Sequence, residues 1–86
     1  MKYYIEFPNN IYNELKAIDW KPAGNIVNFL DNKNAIIIFD KDVFEGYLTW
    51  LSAEKGMDDY GNINSYGIKI EKLYDEYLNA KMIKID

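Results

Sequence analysis

Five consecutive apolar residues, Ala35-Ile36-Ile37-Ile38-Phe39, constrain this chain more than any other stretch. Three of them are β-branched, which suits a strand better than a helix. Successive side chains of a strand point to opposite faces, so a strand apolar on both faces belongs inside a sheet rather than at its edge. Asp31-Asn32-Lys33-Asn34 precedes it and reads as a turn, because Asn and Asp tolerate left-handed backbone and hydrogen-bond their own chain. Asn25 to Asp31 reads as a strand on the far side of that turn, so the two runs form a hairpin.

Further elements flank the hairpin. Lys2 to Phe7 alternates, with Tyr3, Ile5 and Phe7 on one face and Lys2, Tyr4 and Glu6 on the other, as a half-buried strand does. Pro8 ends it, and Asn9 or Asn10 is placed to cap a helix whose apolar face is Ile11, Leu15 and Ile18. Trp20 follows, and Pro22 with Gly24 breaks the helix. From Asp42 the period changes to a wide helical stripe of Val43, Phe44, Tyr47, Leu48, Trp50 and Leu51, stopped by Gly56. Asp58 to Ser65 is a polar loop in which Gly61 allows a turn. A third helix, Ser65 to Ala80, gathers Tyr66, Ile70, Leu73, Tyr74 and Tyr77 on one face. Ile68 lies opposite that face; a helix that starts after it accounts for this, and exposure for contact is the alternative. Met82 to Asp86 alternates as a last short strand. The expected fold is a single α+β domain over residues 1–86, in the order β-α-β-β-α-α-β. Its sheet is mostly antiparallel, with helices on one face. At 86 residues, 49% hydrophobic and 16% aromatic, the chain has material for one core and one domain.

Missing residue types exclude most chemistry. There is no Cys, so no disulfide, thiolate nucleophile or Cys-based zinc site. There is no His to act as a base or metal ligand, and all ten basic residues are Lys, so no arginine fork can clamp phosphate. Besides tyrosine, the hydroxyls are Thr49, Ser52 and Ser65 alone. An enzyme built from this set would run on carboxylates, lysines and tyrosines, so a non-enzymatic role without cofactor or metal is expected. The abundance of Lys, Asn, Ile and Tyr without Arg fits an AT-rich gene of a low-GC bacterium or its phage. Met1 to Phe7 carries Lys2 and Glu6 and does not resemble a signal peptide. No apolar run approaches the roughly 20 residues of a membrane span. A cytoplasmic protein that does not contact membrane is the expectation.

Ile36-Ile37-Ile38-Phe39-Asp40-Lys41-Asp42-Val43 resembles the first motif of the haloacid-dehalogenase phosphatases. The resemblance implies Asp40 as nucleophile and Asp42 as acid/base near magnesium, with Asp58-Asp59 as the later magnesium acids. It covers about eight residues, and the larger parallel core and second motif of that family have no counterpart here. The simpler reading is that Asp40 or Asp42 caps the second helix. Asp58-Asp59-Tyr60-Gly61-Asn62-Ile63 hints at a calcium loop. Aligning Gly61, however, puts Gly56 at the first ligand position and Gly67 where a bidentate Glu is needed. Scattered lysines on an acidic chain make no basic stripe, so direct nucleic-acid binding is not expected.

The charge is localised. Residues 1–39 and 61–86 are each balanced, and the whole −4 falls in residues 40–60: Asp40, Asp42, Glu45, Glu54, Asp58 and Asp59 against Lys41 and Lys55. A concentrated negative surface steers a basic partner. Tyrosine adds contact area at little rotamer cost, and Tyr4, Tyr12 and Tyr60 fall on solvent faces or loops, while Tyr3, Tyr47 and Tyr77 are core. The candidate partner-binding residues are therefore Asp40, Asp42, Glu45, Glu54, Asp58, Asp59 and Tyr60. In size and charge the chain looks like phage anti-defence proteins, including anti-CRISPR proteins. That likeness implies an inhibitor that occupies a protein with a basic surface, such as a nucleic-acid-binding effector or nuclease, in place of phosphates. An antitoxin or immunity protein, or an oligomerising structural module, is the alternative.

Overall fold

Three antiparallel pairings join four strands into one sheet in the spatial order β2-β3-β1-β4. The computed structural model describes residues 1–85 and runs β1 (Lys2–Glu6), α1 (Asn9–Lys16), β2 (Val27–Leu30), β3 (Ala35–Ile38), α2 (Lys41–Lys55), α3 (Ser65–Asn79) and β4 (Met82–Ile85). This is the α+β order the periodicities predict. Asp86, the end of the expected last strand, lies outside the described residues. The second strand is shorter than 25–31: Trp20 leads into a 3-10 turn at Lys21–Ala23, and Gly24 at φ 88° turns the chain before pairing begins at Val27.

The apolar run lands inside the sheet, between β2 and β1. In register, Ile36 pairs with Ile5 and Phe29, and Ile38 with Tyr3 and Val27. Ile5, Ile36 and Ile38 are fully buried under the helices, which supply Ile11 and Leu15 from α1, Phe44, Leu48 and Leu51 from α2, and Ile70, Leu73 and Tyr77 from α3. The opposite face is uncovered: Tyr4 and Ile37 are half-buried and Ile83 is exposed. An antiparallel sheet tolerates this one-sidedness, which a parallel sheet does not.

Two expected details change. The α1 cap position is Pro8, with no side-chain cap, so neither Asn9 nor Asn10 caps the helix. Asn9 instead reaches across the fold, its Nδ2 donating to Asn34 Oδ1 at 3.2 Å. Asn34 holds the left-handed conformation (φ 49°) that closes the turn before β3, and its carbonyl accepts the Phe7 N–H at 2.9 Å. The second change is in α3, which includes Ile68 and leaves it exposed, so a later helix start does not hide it.

Candidate functional site

Helix α2 and the loop after it carry every candidate contact residue. Asp40 is the α2 cap: its Oδ1 accepts the Val43 N–H at 3.1 Å, satisfying a free donor of the first turn. Asp42, exposed in the first turn, sits at the positive end of the helix dipole. A shallow depression of about 440 Å³ beside them is bounded by Met1, Tyr3, Phe39 and Lys41. Glu45 turns inward, accepting Tyr77 Oη at 2.6 Å and lying 3.4 Å from Lys41 Nζ. Burial, reinforced by the Glu45 carboxylate, holds the Tyr77 hydroxyl far above the usual tyrosine range. Glu54 is exposed on the last turn of α2.

The segment after α2 is built rather than slack. Asp58 Oδ1 accepts both the Tyr60 and the Asn62 N–H at 2.9 Å, and Asp58 N–H donates to the Asn62 carbonyl at 2.8 Å. Gly61 takes φ 80°, which an L side chain rarely adopts, and Met57 bridges to Ile63. Asn64 caps α3 through Gly67 N–H at 2.9 Å while its Nδ2 donates to the Lys55 carbonyl, tying the two helix ends together. The tip of this closed loop holds Asp59 and Tyr60, the latter 90% exposed.

The six acids therefore do not form one patch. Fifteen helical residues separate Asp40 from Gly56, about 22 Å at 1.5 Å per residue. Asp40 and Asp42 lie at one end, Asp58 and Asp59 beyond the other, and Glu45 is turned inward between them. Among the described residues no three carboxylates gather as a cation site would need. The phosphatase arrangement is not assembled either: β3 is antiparallel to both neighbours, and the residues expected as magnesium acids sit a helix length from Asp40.

Tyr12 is not on a solvent face. It is buried, its Oη donates to Asp31 Oδ1 at 2.5 Å, and burial with that carboxylate pushes its hydroxyl up to about 12. Lys16 pairs with the same Asp31 oxygen at 2.6 Å, and these two donors, Lys16 first, lower the Asp31 carboxyl. The wide α2 stripe is narrower than its spacing implies. Phe44, Leu48 and Leu51 are buried, whereas Val43 and Trp50 are exposed. Trp50 stacks on Tyr47, whose Oη donates to the Asp19 carbonyl at 2.6 Å. Tyr47 in turn meets Trp20, which stacks on Phe44, which meets Tyr77. This aromatic chain runs from the core to an exposed indole that sequence spacing assigned to packing.

No protein-family model, curated protein or solved structure matches this chain.

Proposed function

We propose that the protein is a non-enzymatic inhibitor that works by occupying a basic surface of a protein partner, as phage anti-defence proteins do, with the loop 57–63 as its leading contact. The observation that carries this reading is Tyr60, 90% exposed at the tip of a loop closed by Asp58 and flanked by exposed Asp59. The backbone that carries this aromatic is already tied down, so binding has mainly its few side-chain rotamers left to order. Of the six acids in residues 40–60, Asp42, Glu54 and Asp59 are exposed and free of the ion pairs and side-chain hydrogen bonds found among the described residues, so they supply the steering field of this segment. Two acidic ends about 22 Å apart on one helix suit a partner that binds the phosphates of an extended nucleic acid.

Affinity capture from bacterial lysate at low and high salt, followed by kinetics on the purified partner, tests this. Asp42→Asn, Glu54→Gln and Asp59→Asn together slow association by about tenfold at low salt, and Tyr60→Ala speeds dissociation. The partner's activity falls as complex forms. Association indifferent to both salt and these substitutions removes the acids from the account.

A further inference from the structure

An apolar trough of about 430 Å³ lies between α2 and α3, away from the loop tip. Leu48 and Ile70, both buried, meet Met57 and Tyr74 in its lining, and Glu71 and Asp75, one turn apart on α3, are its charged members. Both carboxylates are exposed, neither is in an ion pair among the described residues, and no cation lines the trough. On α2 the lining is low: Thr49, Ser52 and Ala53 contribute short side chains, and Gly46, one turn before Thr49, would meet nothing within 4 Å if it carried a Cβ. Helices α2 and α3 make many contacts and are joined by the short closed loop, so the trough runs along a helical hairpin. Ridges of a third helix seat in such a groove. Met57, half-exposed and unbranched, adapts to whatever apolar residues enter.

We infer that this trough receives an amphipathic helix of a protein partner, with apolar residues on the seated face and lysine or arginine beside them to meet Glu71 and Asp75. The apolar lining selects the seated face, and a rim of uncompensated negative charge selects the sign of its flanks. The inference rests on the partner-binding reading and adds to it a second contact, which shares Met57 with the loop 57–63 but not its tip at Asp59 and Tyr60.

The test is anisotropy titration of the full chain into a labelled helical peptide of about 16 residues, roughly 24 Å long. The peptide is built of Leu, Ala and Lys with Leu at helical spacing. Its control has the same composition with the order scrambled. Saturable binding is expected, about tenfold tighter than the control, because charge alone does not distinguish the two. Ala53→Arg, which fills the trough and adds a cation, weakens it by about tenfold or more. Glu71→Gln with Asp75→Gln weakens it less and flattens its salt dependence. Circular dichroism and melting show that each variant is folded. Tyr60→Ala leaves peptide binding unchanged, so failure of the loop reading and failure of the trough are separable. Equal binding of scrambled peptide, or of Ala53→Arg, overturns the inference. So does a concentration-dependent dimer in light scattering that Ala53→Arg dissolves, since the occupant is then a second copy.

Discussion

At the scale of single side chains, Glu45 and Gly46 are neighbours with opposite relations to the fold. Glu45 belongs by sequence to the acidic segment, yet its carboxylate is engaged by Tyr77 and Lys41. A hydrogen bond to a charged acceptor is worth about 1.5–3 kcal/mol, so Tyr77→Phe should lower unfolding stability by roughly that amount in urea. Glu45→Gln keeps an acceptor and should cost less. If the two losses simply add in the double variant, the pair is not coupled and Glu45 is a surface acid after all. Gly46 is the converse case, since its place in the middle of α2 is required by nothing inside the molecule. Gly46→Ala should therefore stabilise the fold by about 0.5–1 kcal/mol, read as a higher urea midpoint at unchanged slope. If an external helix seats along α2, the same substitution should weaken that helix's binding. A stabilised variant that also binds less well places the reason for the glycine outside the fold.

At the scale of elements, α2, its loop and α3 act as one unit pinned by two glycines. A Cβ on Gly67 would lie 2.3 Å from the Gly56 carbonyl oxygen, and one on Gly56 would lie 2.6 Å from Gly67 Cα. Backbone cannot yield as a flexible side chain does, so Gly67→Ala should cost roughly 3 kcal/mol and loosen the loop. Hydrogen exchange at Asp58 and Asn62 should rise with it, while α1 stays protected. Exchange that rises evenly over the whole chain would mean the loop has no local stability of its own. Gly56 was legible as a helix stop and Gly61 as a turn, because both follow from backbone preference near the residue itself. The contact between Gly56 and Gly67 was not, since eleven positions and a helix crossing separate them. Elements announced by periodicity were readable for the same local reason: the apolar run at 35–38, the alternation at 2–6, the α3 stripe. Asn9 misled because a capping residue type was near the helix start, while Pro8 took the cap and Asn34 took the amide. Tyr12 misled because its helical angle lies roughly 90° from the centre of the Ile11, Leu15 and Ile18 stripe, at its edge. Phe29 on β2 and Asp31 beyond it cover it from another part of the chain.

Over the whole molecule, one side of the sheet is open, but it is small. Four strands about 4.8 Å apart and four residues long offer roughly 250 Å², well below the about 800 Å² per partner of a stable interface. The molecule as a whole extends 43 × 23 × 20 Å, so a stable interface has to draw on more than this face. The tyrosines that tie the halves together also set the response to alkali. Tyr12 bonds α1 to Asp31 before β3, and Tyr77 bonds α3 to α2. Tyr12, Tyr47 and Tyr77 all have hydroxyls raised, by burial first, above the ordinary value of 10.0. Below about pH 10 these groups are protonated in folded and unfolded chains alike, and their contribution to stability is fully present. Above it the unfolded chain releases protons that the folded chain retains, so stability falls as pH rises. The Tyr12 share of that fall is complete only once pH passes about 12. Urea midpoints should therefore be flat near neutrality and decline from about pH 10 upward. Three raised hydroxyls contribute to that decline, so the wild type alone does not assign it to one of them. Tyr12→Phe does: it keeps Lys16 and Asp31 and removes one raised hydroxyl, so its midpoint, lower at neutral pH, should decline less steeply. A variant that falls with the wild-type slope would place the alkaline transition with Tyr47 or Tyr77 instead.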